Sequence, residues 1–134
     1  MRVTLGTFST TDKLNDTIVS ILKDGRLSYG PYSQELEHKF AKMCEHEYGV
    51  LSNSGTSSLV VALLAMKEKY KWGDDAEVIV PATTFVASYN AVLHAGLKPV
   101  LVDIDPFRWD FGYEAVQWVH TNKTVAVMAV NLFG

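Results

Sequence analysis

The sequence predicts an α/β fold: a mostly parallel sheet with helices on both faces. Two observations lead to this class. Short runs of Val, Ile and Leu alternate along the chain with segments whose apolar residues recur at helical spacing. The strand-like runs are apolar almost throughout, as strands covered on both faces are, rather than apolar at every second residue. The 134 residues are 48% hydrophobic, which is enough for the core of about one domain.

Each predicted helix has an apolar stripe and a residue that can cap or end it, such as Gly25 after the first and Ser33 and Thr56 before the next two. The predicted helices cover about 14–22, 33–49, 56–72, 86–94 and 113–120, and the predicted strands cover 50–52, 77–81, 99–103 and 124–130. The carboxyl ends of parallel strands meet at one edge of a sheet, where ligands gather. We therefore expect the polar turns after 52, 81 and 103 to converge there.

Composition excludes several classes of function. A net charge of −3 and a pI near 5.7 argue against a nucleic-acid surface, which needs a clustered basic face. The alternating Lys67, Lys69 and Lys71 are expected to be a solvated helix end. There is no apolar leader at the N-terminus and no run of transmembrane length, so no membrane partner is expected.

The single cysteine, Cys44, cannot form an internal disulfide, which fits a reducing cytoplasm, and we expect a cytoplasmic location. Cys44 stands two residues before His46, but the sequence has no second pair at ligand spacing. Because Cys44 falls on the apolar stripe of its helix, we interpret it as a buried thiol and expect no metal site.

The segment around Ser54-Gly55-Thr56 carries the clearest chemical signal. A short apolar run leads into a turn of small residues, and a helical pattern starts at once. The first N–H groups of a helix have no intrahelical partner and favour an anion, and Gly55 leaves room for one to approach. A capped helix without a ligand is the alternative. The chain has neither G-x-x-x-x-G-K-[ST] nor G-x-G-x-x-G, so the expected ligand is a single phosphate.

Phe85 follows the predicted strand at 77–81 and therefore belongs to the same edge of the sheet. A ring beside a phosphate site can stack on a planar cofactor. From periodicity alone, an ordinary core residue is the favoured interpretation of Phe85.

Residues 125–134 form one of the most apolar stretches, and the sequence stops there. A buried strand with nothing after it leaves an uncovered edge, so we interpret the chain as truncated.

Taken together, five segments resemble the DegT/StrS-type (DegT/DnrJ/StrS) aminotransferases, which are pyridoxal-phosphate enzymes of fold type I that mostly aminate keto sugars on nucleotides. Their order and spacing match over nearly the whole chain. The segments are 27–31 with Glu35 and Glu37, 53–59, 73–81, 84–91 and 99–105.

The resemblance implies roles for particular residues. Gly55 and Thr56 would hold the phosphate of pyridoxal 5'-phosphate, and Phe85 would stack on its pyridine ring. The loop at Ser28, Tyr29 and Gly30 would lie near the substrate. The implied partners are a nucleotide-sugar substrate, an amino-acid donor and, in the full-length form, a second copy of the chain.

No catalytic residue is assigned within the chain. In the family, the Schiff-base lysine and the carboxylate partner of the pyridinium nitrogen follow the strand at which this sequence stops. Lys98 and Lys123 are predicted at amino ends of strands, away from the site. Asp103 and Asp105 also match a family pattern, but a strand end and turn explains them as well. The resemblance thus implies that residues 1–134 are the front half of the large domain, without its remainder or the C-terminal small domain, and are inactive alone.

Three functions remain open at this point. The leading hypothesis is an N-terminal fragment of an aminotransferase that moves an amino group from an amino acid to a keto sugar nucleotide, in polysaccharide or amino-sugar biosynthesis. The second is a non-catalytic remnant or regulatory protein of the same fold, which binds a partner or a phosphate ligand. The third is an unrelated α/β phosphate-binding domain.

Overall fold

The chain divides into two compact units: in the described residues, the first contains two helices, and the second contains a parallel sheet and three helices. The computed structural model describes residues 9–25, 27–109 and 111–132. The first unit is Met1–Leu51 and the second is Ser52–Gly134. The first contains α1 (Asp12–Lys23) and α2 (Pro31–Met43). The second contains, in chain order, α3 (Gly55–Tyr70), β1 (Glu77–Pro81), α4 (Val86–His94), β2 (Lys98–Val102), α5 (Tyr113–Val119) and β3 (Thr124–Val127).

In the first unit, α1 ends where predicted and α2 begins earlier than predicted. Gly25, just past the end of α1, has a φ of 72°, which favours glycine. The predicted cap of α2 at Ser33 is wrong, because Gly30 is the N-cap and Pro31 is the first helical residue. Proline suits that position, since its fixed φ is helical and its missing N–H needs no partner there. The helix also ends at Met43, well before Gly49.

The interpretation of Cys44 as a buried thiol is also wrong, because its side chain is exposed. The apolar stripe that includes Phe40 and Met43 is exposed with it. Among the described residues of α2, only Ala41 is buried.

The sheet of the second unit has the order β2-β1-β3, and both pairs of strands are parallel. All five residues of the central strand β1 are buried. The predicted strands at 77–81, 99–103 and 124–130 are confirmed, with shorter or shifted ends. The predicted strand at 50–52 is wrong: no strand forms there, and Val50 is 81% exposed.

The core lies between β1 and the helices α3 and α4. Val78 and Val80 pack in one cluster with Leu63 of α3 and Val92 of α4. Ile79, which points to the opposite face of the strand, is also completely buried. The chain moves from β1 to β2 in one direction and returns past β1 to β3. Right-handed crossovers therefore place α4 and α5 on opposite faces of the sheet, in agreement with the predicted class.

Lys67 links α3 to α4 near their C-terminal ends. Its ammonium nitrogen donates to the carbonyl oxygens of Ala95 and Gly96, at 3.2 and 3.0 Å, and pairs with Asp74 at 2.7 Å. A cation is favourable at a helix C-terminus, where carbonyl groups lack partners. Lys67 is thus a cap for the neighbouring helix rather than part of a solvated helix end.

Glu77 is a buried carboxylate at the amino edge of the sheet. It accepts hydrogen bonds from the Thr121 hydroxyl at 2.6 Å and from the Lys98 ammonium at 2.9 Å. These bonds, the one from Thr121 first, lower the pKa of Glu77. Lys123 pairs with Asp75 at the same edge, at 2.9 Å. Lys98 and Lys123 therefore stand at the amino ends of strands, as predicted.

No helix within the described ranges is long and apolar enough to cross a membrane.

We predict that Glu77 makes the second unit sensitive to acid. A carboxyl group with a lowered pKa in the folded state stabilises the fold above its unfolded-state pKa, and this contribution is lost as the pH falls through the folded-state value. Unfolding free energies from urea titrations at a series of acidic pH values should therefore fall with pH, and less steeply in Glu77→Gln. The matched control is Glu68→Gln, because Glu68 pairs with Lys71 on an exposed helix surface. Equal slopes in the Glu77→Gln and wild-type proteins would contradict the prediction.

Candidate functional site

A ring of serine contacts shapes the turn that begins α3. Ser54 is the N-cap, and its hydroxyl accepts a hydrogen bond from the Ser57 N–H at 3.1 Å. The Ser52 hydroxyl donates to the Ser54 carbonyl at 2.8 Å and shares a hydrogen bond of 2.5 Å with the Ser58 hydroxyl. The turn is therefore fixed by its own side chains.

Gly55 and Thr56 lie at the start of α3, where hydrogen-bond donors are left without a partner among the described residues. Gly55, not Thr56, is the first helical residue, one position earlier than predicted. Within the described part of the chain, their N–H groups and the Thr56 hydroxyl have no protein partner. A Cβ built at Gly55 would meet nothing within 4 Å. Unpaired donors facing open space at a helix N-terminus fit a phosphate.

Phe85 is exposed at the end of the turn that follows β1. It is the N-cap of α4, and 71% of its surface is accessible. Phe85 is therefore not part of the described core. Next to Phe85 in the sequence, the hydroxyl of Thr84 shares a hydrogen bond of 2.9 Å with the hydroxyl of the buried Ser88. The ring is accessible to a planar ligand.

The contacts of α3 relate its first turns to the carboxyl edge of the sheet. Leu59 lines a shallow apolar cleft of about 170 Å³ together with Met128, which follows the last residue of β3. At the other end of α3, Lys67 binds the C-terminal end of α4. That Gly55, Thr56 and Phe85 face one shared cleft stays a prediction.

The strand order β2-β1-β3 predicts where at the carboxyl edge a ligand would bind. Connections leave β1 and reach β3 on opposite faces of the sheet, so these neighbouring strands flank a topological switch point. Open α/β sheets bind ligands beyond the carboxyl ends of the strands at such a point. Phe85 follows one of the two strands that flank it.

The predicted substrate loop lies in the first unit. Ser28 and Gly30 line a cleft of about 430 Å³, which Ile21 of α1 also lines. Tyr29 is not among the lining residues, and its hydroxyl donates instead to a carboxylate oxygen of Glu37 at 2.5 Å.

Sequence reasoning missed the part played by Glu37. Its second carboxylate oxygen accepts the N–H of Leu51 at 2.7 Å. The hydrogen bond from Tyr29, and then that from Leu51, lower the pKa of Glu37, and the same bond raises the pKa of Tyr29. The sequence shows Glu37 only as an acidic residue in the first half of a helix, so spacing alone cannot find this role.

Asp103 and Asp105 both make local turn contacts. Asp103 accepts the N–H of Ile104 at 2.9 Å, and Asp105 accepts those of Phe107 and Arg108 at 2.7 and 3.1 Å. These bonds agree with the interpretation as a strand end and turn.

The fold and the site define a class: an α/β protein with a phosphate-sized donor group at a helix end and an exposed ring at the carboxyl edge of its sheet. The sequence profile of the DegT/DnrJ/EryC1/StrS aminotransferase family matches residues 9–134, and the chain belongs to this family.

Individual relatives are consistent with that membership. GDP-perosamine synthase of Escherichia coli O157:H7 is 40% identical over 107 residues, which are 80% of this chain and 28% of that protein. UDP-2-acetamido-2-deoxy-3-oxo-D-glucuronate aminotransferase of Pseudomonas aeruginosa is 32% identical over 123 residues, 92% of this chain and 33% of that protein. The chain thus spans about a third or less of the curated relatives it matches.

Among solved structures, E. coli GDP-4-keto-6-deoxy-D-mannose-3-dehydratase with bound hydrated PLP superposes with a TM-score of 0.87 at 28% identity. The match covers 97% of this chain and 34% of that one.

We predict that Gly55→Ala separates folding from binding. The added methyl group meets no protein atom, so stability should stay equal or rise by up to about 1 kcal/mol from helix propensity. The methyl group would stand where a phosphate must approach, and we expect at least about tenfold weaker binding of pyridoxal phosphate. Thermal unfolding and equilibrium dialysis measure the two effects. Gly112→Ala is the control, since a Cβ at Gly112 also meets nothing within 4 Å. Equal affinity in both variants would argue against the site.

Proposed function

We propose that this chain is the front half of the large domain of a pyridoxal-phosphate-dependent aminotransferase, followed in the whole protein by the rest of that domain and a small C-terminal domain. The whole protein would transfer an amino group from an amino acid to a keto sugar nucleotide, in polysaccharide or amino-sugar biosynthesis. The observation that carries the proposal is the unpaired donor group of Gly55 and Thr56 in a chain of this family.

The residues present fit the cofactor. The two N–H groups and the Thr56 hydroxyl match the acceptor oxygens of one phosphate, and the exposed Phe85 offers a face for a pyridine ring. Bound pyridoxal phosphate supplies an electron sink for the carbon that carries the amino group. The part of this chain is to bind the phosphate at the start of α3 and to orient the ring against Phe85. A shared position at the carboxyl edge is supported by Leu59 beside Met128 and by the switch point between β1 and β3.

The proposed substrate loop is Ser28, Tyr29 and Gly30, in the first unit. The P. aeruginosa relative is named for a UDP-linked keto sugar, which supports a nucleotide sugar as the substrate class. A homodimer and a cytoplasmic location belong to the same proposal.

Amination is favoured over dehydration, although the solved structure described above is a dehydratase. The family is named for aminotransferases, and the P. aeruginosa relative carries that activity in its name. The remaining alternative is a non-catalytic or regulatory protein of the same fold.

The coding DNA beyond Gly134 discriminates between these proposals. An in-frame continuation that places an acidic residue after a strand, and then a lysine after a serine-rich turn, supports an aminotransferase. A stop codon directly after Gly134 favours the non-catalytic alternative.

We predict that Phe85→Ala weakens retention of pyridoxal phosphate by the full-length product. Ring stacking contributes about 1 kcal/mol beyond the area it buries, so the dissociation constant should rise by at least about fivefold. Absorbance of the bound cofactor after dialysis measures the change. Phe107→Ala is the matched control, because Phe107 is 93% exposed and lies in the turn after Asp105. Equal retention in the two variants would remove the stacking role.

We predict that residues 1–134 alone catalyse no transamination. The described lysines at the sheet, Lys98 and Lys123, pair with carboxylates at the amino edge, away from the proposed site. The purified chain should be mixed with pyridoxal phosphate and reduced with borohydride, with the full-length product in parallel. We expect scattered adducts on surface lysines and no turnover of an amino donor with a keto sugar nucleotide. A single adduct at one lysine together with turnover would contradict the prediction.

A further inference from the structure

Glu37 joins two segments of the first unit that are distant in sequence. One carboxylate oxygen accepts the hydroxyl of Tyr29, eight residues earlier, at 2.5 Å. The other accepts the backbone N–H of Leu51, fourteen residues later, at 2.7 Å. Each oxygen thus has one donor, and both bonds involve a charged acceptor, which makes them stronger than bonds between neutral groups.

The segment before Leu51 lies directly against the backbone of Glu37. A Cβ built at Gly49 would be 2.6 Å from the Glu37 carbonyl oxygen, closer than real Cβ atoms come. Only glycine fits this approach without a backbone shift. The contact sets the position of the chain two residues before the N–H that the carboxylate binds.

The bond to Tyr29 lies in the same loop as two residues that line the cleft. Ser28 and Gly30 line the cleft of about 430 Å³, while the Tyr29 hydroxyl is held by Glu37. Tyr29 is 51% exposed, so apolar packing alone does not fix its ring. The hydrogen bond to Glu37 of α2 is a polar constraint on its hydroxyl.

We propose that Glu37 is a positioning residue for the nucleotide-sugar substrate: by binding Tyr29 and Leu51 together, it holds the loop 28–30 in the conformation that receives the substrate. This inference rests on the proposed function, which places that loop near the substrate. A loop that is already ordered loses less conformational entropy on binding. Glu37 therefore acts on substrate affinity and not on the chemical step.

The experiment uses the full-length product of the gene and compares Glu37→Ala, Tyr29→Phe and their combination. Glu35→Ala is the matched control, because Glu35 lies on the same helix and pairs only with Lys39 in the described structure, at 2.5 Å. The KM and kcat are measured with L-glutamate and GDP- or UDP-linked keto sugars. Hydrogen exchange of the peptide that contains Leu51 is followed by mass spectrometry without cofactor or substrate.

We expect Glu37→Ala to raise the KM for the keto sugar about tenfold and to leave kcat within about twofold, with faster exchange at Leu51. Tyr29→Phe should raise the KM in the same direction. The double variant should be no worse than Glu37→Ala, because Glu37→Ala has already broken the bond that Tyr29→Phe removes. Glu35→Ala should resemble the wild type. If Glu37→Ala does not fold, the KM of Tyr29→Phe is the test, because this variant removes only the hydroxyl that binds Glu37.

An unchanged KM in Tyr29→Phe, or exchange at Leu51 that is the same in Glu37→Ala and Glu35→Ala, would overturn the inference. A loss of kcat with an unchanged KM would overturn it as well. Failure of the wild-type protein to bind pyridoxal phosphate or to turn over would instead count against the proposed function. The exchange measurement decides the role of Glu37 at Leu51 in either case.

Discussion

The complete burial of β1 is the constraint on which the second unit depends. Every polar group on a buried strand needs a partner, because an unpaired one costs more than a hydrogen bond returns. Parallel neighbours pair with the backbone of β1 on both sides, β2 along the whole strand and β3 over Glu77 to Ile79. The carboxylate of Glu77 is satisfied by Thr121 and Lys98, which lie immediately before β3 and at the start of β2. One buried side chain thus ties together the amino ends of all three strands.

A central β1 also explains why the topological switch point lies at the opposite, carboxyl edge of the sheet. The chain must leave β1 at its carboxyl end, pass through α4 to β2, and return on the other face to β3. This path creates the switch point beside Phe85. The ion pairs of Lys98 and Lys123 occupy the amino edge. The ion pairs and the switch point therefore lie at opposite edges of the sheet.

Sequence patterns predicted the second unit better than the first, for a physical reason. The strand at 77–81 and the helix at 86–94 are rich in apolar residues because they form the core, so the sequence pattern and the structure coincide there. Val50 and Leu51 are apolar but join no strand, and the Leu51 N–H is bound by a carboxylate of α2 instead. The donor groups at Gly55 were predictable from local chemistry. The partner of Glu37 was not, since it depends on contacts between segments that no spacing rule connects.

The two units show the same chemistry in different surroundings. Among the described residues, the first unit buries little apolar surface beyond Ala41. Glu37 and Glu77 each accept hydrogen bonds from a hydroxyl and from a nitrogen, and each has a lowered pKa for that reason. A glutamine offers one acceptor oxygen, whereas each of these sites presents donors to both oxygens. A carboxylate is the side chain that accepts at both positions.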